Sequence, residues 1–336
     1  MSDPPVPIKP LHPSVIPLLD PEYVALHNAV LQYTPPVRNV PLKPNRRDEF
    51  DFIGNDPRCE PHKVGEEHDF DLIHAKIHTW TPDGVAPLEG WPIFIFFHGG
   101  GFTIGNRKVD SFLLTTACNK AKCVVASVGY RLAPENPYPA AIDDAVEALQ
   151  WVIERGKEVL NVDTSRIAIG GIGGNIAAVL ALKAAEMFPS IPLVLQLLIA
   201  PVLDHTLTTS SRFKDELEHA PGLQPEDIMW FSHNYFPNQE DCSKWDASPI
   251  FAPDELVRHV PKAWIGVMEM DVLRPEGVAY GLKLREAGVE VQTVVYKGAP
   301  HIMLMLSSKF LFETFEKELT ISSNNHGAFL RACQVR

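Results

Sequence analysis

The sequence lacks any long apolar run. Its longest uninterrupted stretch of apolar residues is Ile176 to Leu182, far short of the ~20 residues a membrane-spanning helix needs, so no bilayer span is expected. Basic residues are in deficit: 30 Lys+Arg stand against 42 Asp+Glu, a formal charge of −12. No local basic stripe offsets this, and a surface so acidic repels phosphate backbones. No nucleic-acid partner is expected. Cysteine is scarce and scattered: Cys59, Cys118, Cys123, Cys242 and Cys333 are odd in number and contain no Cys-x-x-Cys pair. That argues against a zinc site and a disulfide framework and for reduced thiols. The opening residues Met1 to Pro7 lack the basic and apolar regions of a secretory signal, so the expected compartment is the cytoplasm.

What is present is an ordinary globular composition, 45% hydrophobic and 21% charged, over 336 residues. That length suits one large domain with insertions or two small ones. Eleven of the 30 prolines fall in residues 1–50, around one amphipathic patch from Pro21 to Gln32, which reads as an arm or lid. From about Asp69 strands and helices alternate, the pattern of a mostly parallel sheet covered on both faces. Expected strands are Leu72–Trp80, Pro92–Phe97, Val124–Val128, Ile167–Ile169, Leu193–Ile199, Ala263–Met268 and Val289–Tyr296. Expected helices are Ala140–Arg155, Asn175–Phe188, Gly277–Ala287 and Leu306–Leu319. From His205 to Trp245 the alternation is broken by a polar and aromatic stretch carrying Phe213, Trp230, Phe231, Tyr235 and Phe236. It reads as an insertion over the sheet edge that shapes an apolar pocket. No repeat or long linker divides the chain. The expectation is one domain over 1–336, with cap elements at about 1–50 and 205–245 and a core at about 69–204 and 246–320.

Three segments carry chemistry. His98-Gly99-Gly100-Gly101-Phe102 follows the apolar run Ile93–Phe97, where glycines let backbone N–H groups curl into a cavity as an oxyanion hole. The bland alternative is an ordinary tight turn. Asp271 follows one C-terminal strand and His301 follows the next, the order in which an acid orients an imidazole for general-base work. Among thirteen histidines only its loop position distinguishes His301. No residue cluster suggests a metal or a cofactor.

Two further motifs, Tyr130-Arg131-Leu132-Ala133-Pro134-Glu135 and Asp246-Ala247-Ser248-Pro249, read singly as structural. Together with His-Gly-Gly-Gly, Met270 to Gly277 and Gly298-Ala299-Pro300-His301, the chain from about Leu72 to about Leu319 closely resembles the hormone-sensitive-lipase branch of the α/β-hydrolases. The resemblance implies an α/β-hydrolase fold and carboxylesterase chemistry on small acyl esters. It also implies catalytic roles for Asp271 and His301 and an oxyanion hole at Gly99, Gly100 and Gly101.

The resemblance fails first at the nucleophile. The family carries an elbow of the form Gly-x-Ser-Ala-Gly-Gly-Asn, whereas this chain reads Gly170-Gly171-Ile172-Gly173-Gly174-Asn175. In one register Ile172 holds the serine's place. With both flanks anchored, a Ser-Ala pair is absent between Ile172 and Gly173. Neither register supplies a nucleophile, and Ser165, Thr103 and Thr116 lie on other parts of the scaffold. A second departure is Gly129, where many of the family have Asp.

Three readings follow. The first is a protein without ester hydrolysis that binds a small apolar or ester-like molecule, as the similar gibberellin receptors bind a hormone. The second is a lyase or isomerase driven by the His301–Asp271 base, as in the similar isoflavanone dehydratases. The third is an ordinary carboxylesterase whose elbow is a sequence error or variant. A homodimer is left open.

Overall fold

The computed structural model describes residues 6–42, 60–190, 193–207 and 217–301. An eight-stranded sheet runs through it in the order β1-β2-β4-β3-β5-β6-β7-β8. Its strands are β1 Glu66–Asp71, β2 Lys76–Thr81, β3 Trp91–Phe97, β4 Val124–Gly129, β5 Val162–Gly171, β6 Leu193–Ile199, β7 Ala263–Met270 and β8 Val291–Pro300. The β1/β2 and β2/β4 pairs are antiparallel, and every pair from β4 to β8 is parallel. This is the mostly parallel α/β sheet expected from the alternating pattern.

Strand β3 is apolar throughout because both its faces are covered. In β3, Ile93, Ile95 and Phe97 join one core while Phe94 and Phe96 join the other, the two-residue alternation of a strand. The first core packs against α3 Ala140–Leu160, α4 Gly174–Met187 and α7 Arg274–Glu286; the second packs against α2 Ser111–Ala121 and the N-terminal arm. Helix α4 is buried without a break from Gly174 to Leu182, which accounts for the longest apolar run in the chain.

The arm carries α1 Pro21–Ala29, started by Asp20, whose carboxylate accepts from the N–H groups of Glu22 and Tyr23, and by Pro21 in the first turn. The insertion between β6 and β7 carries α5 Pro225–Tyr235, where Gln224 and Asp227 cap each other's backbone. One further helical turn, α6 Asp254–Val257, precedes β7.

Three expectations need correction. Leu72–Trp80 is not one strand. Leu72 donates to Ala75 across a turn, and β1 precedes it. The sequence of β1, Glu-Glu-His-Asp-Phe-Asp, is the charged, mostly exposed composition of an edge strand and hides its period. Helix α2 was not expected, because its Thr115-Thr116 and Cys118 weaken the helical signal. The strand Ile167–Ile169 is the middle of a ten-residue strand. The expected helix Leu306–Leu319 lies outside the described residues, as does Phe213.

Behind the sheet's C-terminal edge, Asp144 on α3 is fully buried and takes the Arg131 guanidinium at 2.6 and 2.9 Å and the Arg131 N–H at 2.7 Å. Removing one partner of such a pair leaves the other without its charge compensation. Arg131 is 30% exposed, so water recovers part of the loss. Asp144→Ala is expected to lower stability by about 2–3 kcal/mol, read as a lower urea midpoint at unchanged slope; a shift below about 0.5 kcal/mol contradicts this role.

Candidate active site

The C-terminal ends of β3, β5, β7 and β8 bring the chemistry-bearing segments to one cavity of about 760 Å³. Gly99, Gly100, Gly101, Ile172 and His301 all line it. That volume suits a drug-sized molecule. The arm and the insertion supply its outer wall, through residues such as Leu31, Val37, Ile228 and Phe231.

The glycine loop is held open by its backbone. Gly100 has φ +118° and Gly101 +56°, and a Cβ on Gly100 would fall 2.1 Å from the Ile104 carbonyl oxygen. Only glycine fits that position. Gly100 accepts from the N–H groups of Thr103 and Ile104. The N–H groups of Gly99, Gly100 and Gly101 make no hydrogen bond among the described residues. Behind the loop, the ring of buried His98 stacks on Tyr130 at 4.3 Å. Its Nδ1–H donates to the Gly99 carbonyl at 2.7 Å. Burial outweighs that bond and pulls the imidazole down to about 4, so His98 is a neutral prop. Tyr130 donates its hydroxyl to the His98 carbonyl at 2.9 Å, and Ala133 donates to the Phe102 carbonyl at 2.8 Å. The Tyr130–Glu135 segment therefore braces the loop, although Gly129 stands before it.

His301 follows β8 and Asp271 follows β7, and Nδ1 of His301 lies 2.8 Å from an Asp271 carboxylate oxygen. The other Asp271 oxygen accepts the Leu273 N–H at 3.0 Å. A carboxylate only accepts at neutral pH, so Nδ1 carries the proton and Nε2 is the basic nitrogen. Burial disfavours the charged imidazole, but the Asp271 charge and hydrogen bond outweigh it and hold His301 above its ordinary value.

The elbow is built from glycine and one isoleucine. Gly171 ends β5 with φ +143°, and a Cβ there would lie 2.1 Å from the Phe97 carbonyl oxygen. The Gly173 N–H donates to that same oxygen at 2.9 Å. Helix α4 then starts at Gly174, and Asn175 anchors it by donating to the carbonyls of Val202 and Ala247 at 3.0 and 2.8 Å. Ile172 projects onto the glycine loop: its Cγ2 lies 2.6 Å from where a Cβ on Gly99 would stand. From the other side, the Phe231 ring lies 2.4 Å from where a Cβ on Gly101 would stand.

Hydroxyls elsewhere in the lining are engaged away from the base. Tyr23 bonds His27, Tyr130 bonds the His98 carbonyl, Thr34 bonds the Val30 carbonyl, and Ser232 lies against Cys242. Among the described residues, His301 has no hydrogen-bond partner but Asp271. No group of residues that could hold a metal ion occurs among the described residues, and no described helix is long and apolar enough to cross a membrane.

Of the aromatic residues expected to shape the pocket, Phe231 lines it, whereas Trp230 and Tyr235 do not. Tyr235 is buried in a stack on Phe102 at 3.9 Å. Sequence reasoning missed the arm's polar contribution, Lys9, His12 and Arg38. No local motif could have revealed these residues, since their place depends on how the arm docks.

With this geometry the comparisons with known proteins agree. A family model described as alpha/beta hydrolase fold matches residues 94–305. An AB hydrolase superfamily protein of Schizosaccharomyces pombe is 40% identical over 320 residues, covering 90% of this chain and 92% of that protein. A carboxylesterase of Mycobacterium tuberculosis is 38% identical over 238 residues, covering 70% of this chain and 72% of its own. The crystal structure of a thermostable esterase from Pseudomonas putida matches with a TM-score of 0.78 at 30% identity, covering 92% of this chain and 99% of that one. The chain belongs to the α/β-hydrolase fold family, in its hormone-sensitive-lipase-like branch.

The raised imidazole fixes a pH dependence. A histidine raised by its partner contributes stability that is fully present below its ordinary value of about 6.5 and is lost as pH rises through the raised native value. Asp271→Asn is therefore expected to cost most at mildly acid pH up to about 6.5, and progressively less as pH rises through the native value. Thermal melts across pH and an NMR titration of His301 check this. A wild-type imidazole titrating at or below about 6.5 would contradict it.

Proposed function

We propose that this protein binds a small apolar or ester-like molecule under a cap formed by the arm and the insertion, and that it lacks serine-dependent ester hydrolysis. The observation that carries this reading is the elbow. Acyl transfer needs a nucleophile with a side-chain oxygen or sulfur beside the base, and Gly171-Ile172-Gly173 offers none. The elbow also fails as an oxyanion donor. That role belongs to the N–H of the residue after the nucleophile, and with Ile172 in the serine's place the N–H of Gly173 is already engaged by the Phe97 carbonyl. In place of a nucleophile the cavity gains an isoleucine side chain lying on Gly99, an apolar contact for a ligand's body.

The size of the loss separates this from a weakened esterase. Removing a serine hydrolase's nucleophile costs about 10⁶ in turnover, which leaves nothing near the ~1–10³ s⁻¹ of ordinary enzymes. The wild-type protein is expected to hydrolyse p-nitrophenyl acetate and butyrate no faster than its His301→Ala variant. Inserting Ser-Ala between Ile172 and Gly173 rebuilds the family's Gly-x-Ser-Ala-Gly-Gly-Asn and is expected to create phosphonate-sensitive turnover at least 10³-fold above wild type. Ile172→Ser, which keeps the short elbow, is expected to stay inactive. Wild-type turnover in the ordinary range, abolished by a serine-reactive phosphonate, would refute the proposal. The third reading, an esterase with a misreported or variant elbow, is separated by resequencing the transcript across Arg166–Asn175.

The intact His301–Asp271 pair favours a second reading, base-driven lyase or isomerase chemistry. Neutral Nε2 of His301 would take a proton from the carbon beside a ligand carbonyl, and the N–H groups of the glycine loop would receive the enolate oxygen. His301→Ala distinguishes the two. In an enzyme it removes about 10²–10⁴ in rate with ligand affinity largely kept, whereas in a binding protein any change in function follows affinity alone.

A further inference from the structure

The arm places a cation on the cavity wall that the chemistry above does not use. The Lys9 side chain is half-buried and lines the cavity, and its ammonium makes no hydrogen bond or ion pair among the described residues. Its backbone, by contrast, is fixed. The Lys9 N–H donates to the Gln32 carbonyl at 2.9 Å, and the Lys9 carbonyl accepts from Nε2 of His27 at 2.8 Å. Since a carbonyl only accepts, Nε2 of His27 carries the proton, and Nδ1 can accept from the Tyr23 hydroxyl at 3.2 Å. Burial lowers His27 despite the Lys9 carbonyl bond, so the histidine holding this segment is neutral.

The neighbouring charges leave the ammonium in surplus. Asp227 on α5 is the carboxylate nearest in effect to Lys9, yet both its oxygens are engaged. One takes Nη1 of Arg38 at 2.6 Å, and the other takes the Gln224 N–H at 3.2 Å. Around Asp227 two cations therefore face one anion, a local surplus of one positive charge beside apolar wall residues such as Val30, Leu31 and Phe231; the other carboxylate of the lining, Glu218, is exposed. Burial and the nearby Arg38 both disfavour charge on Lys9, while Asp227 favours it; the balance lies below the ordinary lysine value. A half-buried ammonium gains most from a partner brought by a ligand. In a chain of net charge −12, such a local surplus runs against the general field.

We propose that Lys9 anchors a carboxylate on an amphipathic ligand whose apolar body lies along the cavity toward Ile172 and His301. One surplus charge matches a monoanion better than a phosphate dianion. This rests on the reading of the cavity as a ligand site and names the class of ligand.

Octanoate and its neutral isostere octanamide test it by calorimetry on the full chain, with wild type, Lys9→Met and Lys9→Arg. The wild type is expected to prefer octanoate by about ten- to hundredfold, Lys9→Met to abolish that preference, and Lys9→Arg to restore most of it. Octanamide affinity is expected to be the same in all three, which a change in the arm's packing would not allow. Equal binding of both probes in wild type and Lys9→Met overturns the anion site and leaves the cavity reading standing. An octanoate preference that survives Lys9→Met overturns the role of Lys9. If neither probe binds, both readings fall.

Discussion

The carbonyl oxygen of Phe97 is the constraint on which the centre of this molecule depends. It ends β3, and the chain beyond β5 turns around it: Gly171 passes so close that no Cβ fits, and Gly173 donates to it at 2.9 Å. Two glycines on the elbow thus allow β5 to reach α4 without crossing the end of β3. Next along β3, His98 begins the glycine loop, and a Cβ on Gly173 would lie 2.6 Å from the His98 carbonyl. Elbow and loop are therefore one packed unit. A change in either is felt by the other, which is how an isoleucine at the elbow comes to rest on Gly99.

Around that unit the sheet gathers the other residues that line the cavity. Parallel strands deliver their loops to the carboxyl edge of the sheet, so residues far apart in sequence, Gly99, Ile172 and His301, line one cavity. The His98 ring braces the loop from behind, and Asp271 fixes the tautomer of His301 from beneath. These supports are buried and hydrogen-bonded, and buried polar groups cost stability when a partner is removed.

The central sheet was legible because its signals are local. Runs such as Ile93–Phe97 and Val124–Val128 are buried on both faces and have little choice but to be strands. Helix α3 shows a clear amphipathic period. What was not legible has physical causes. In β1, five of six residues are exposed, so no burial pattern marks it. Helix α2 mixes strong helix formers with Ser111, Phe112, Thr115, Thr116, Cys118 and Asn119, all of weaker helical preference, and is held by packing against β4 and the arm's side of the core. At the site, the glycine loop, Asp271 and His301 could be chosen from their positions after strands. The contact of Phe231 with Gly101 and the placement of Lys9 could not, since both depend on long-range docking of the insertion and the arm.

Beyond its apolar packing in the second core, the arm is tied by polar contacts near its two ends. Asp20 donates its N–H to the Gly298 carbonyl at 2.9 Å, near the end of β8 just before His301, and Gly298 has φ +64° with the arm's backbone 2.8 Å from where a Cβ would stand. The arm's entry is thus tied to the loop that carries the base, and its far end is tied by Arg38 to α5 of the insertion. The cavity wall contributed by the arm lies between these two fixed points. One of them lies at the end of β8 that leads into His301, so the wall that closes the cavity and the imidazole that lines it are placed by the same strand end.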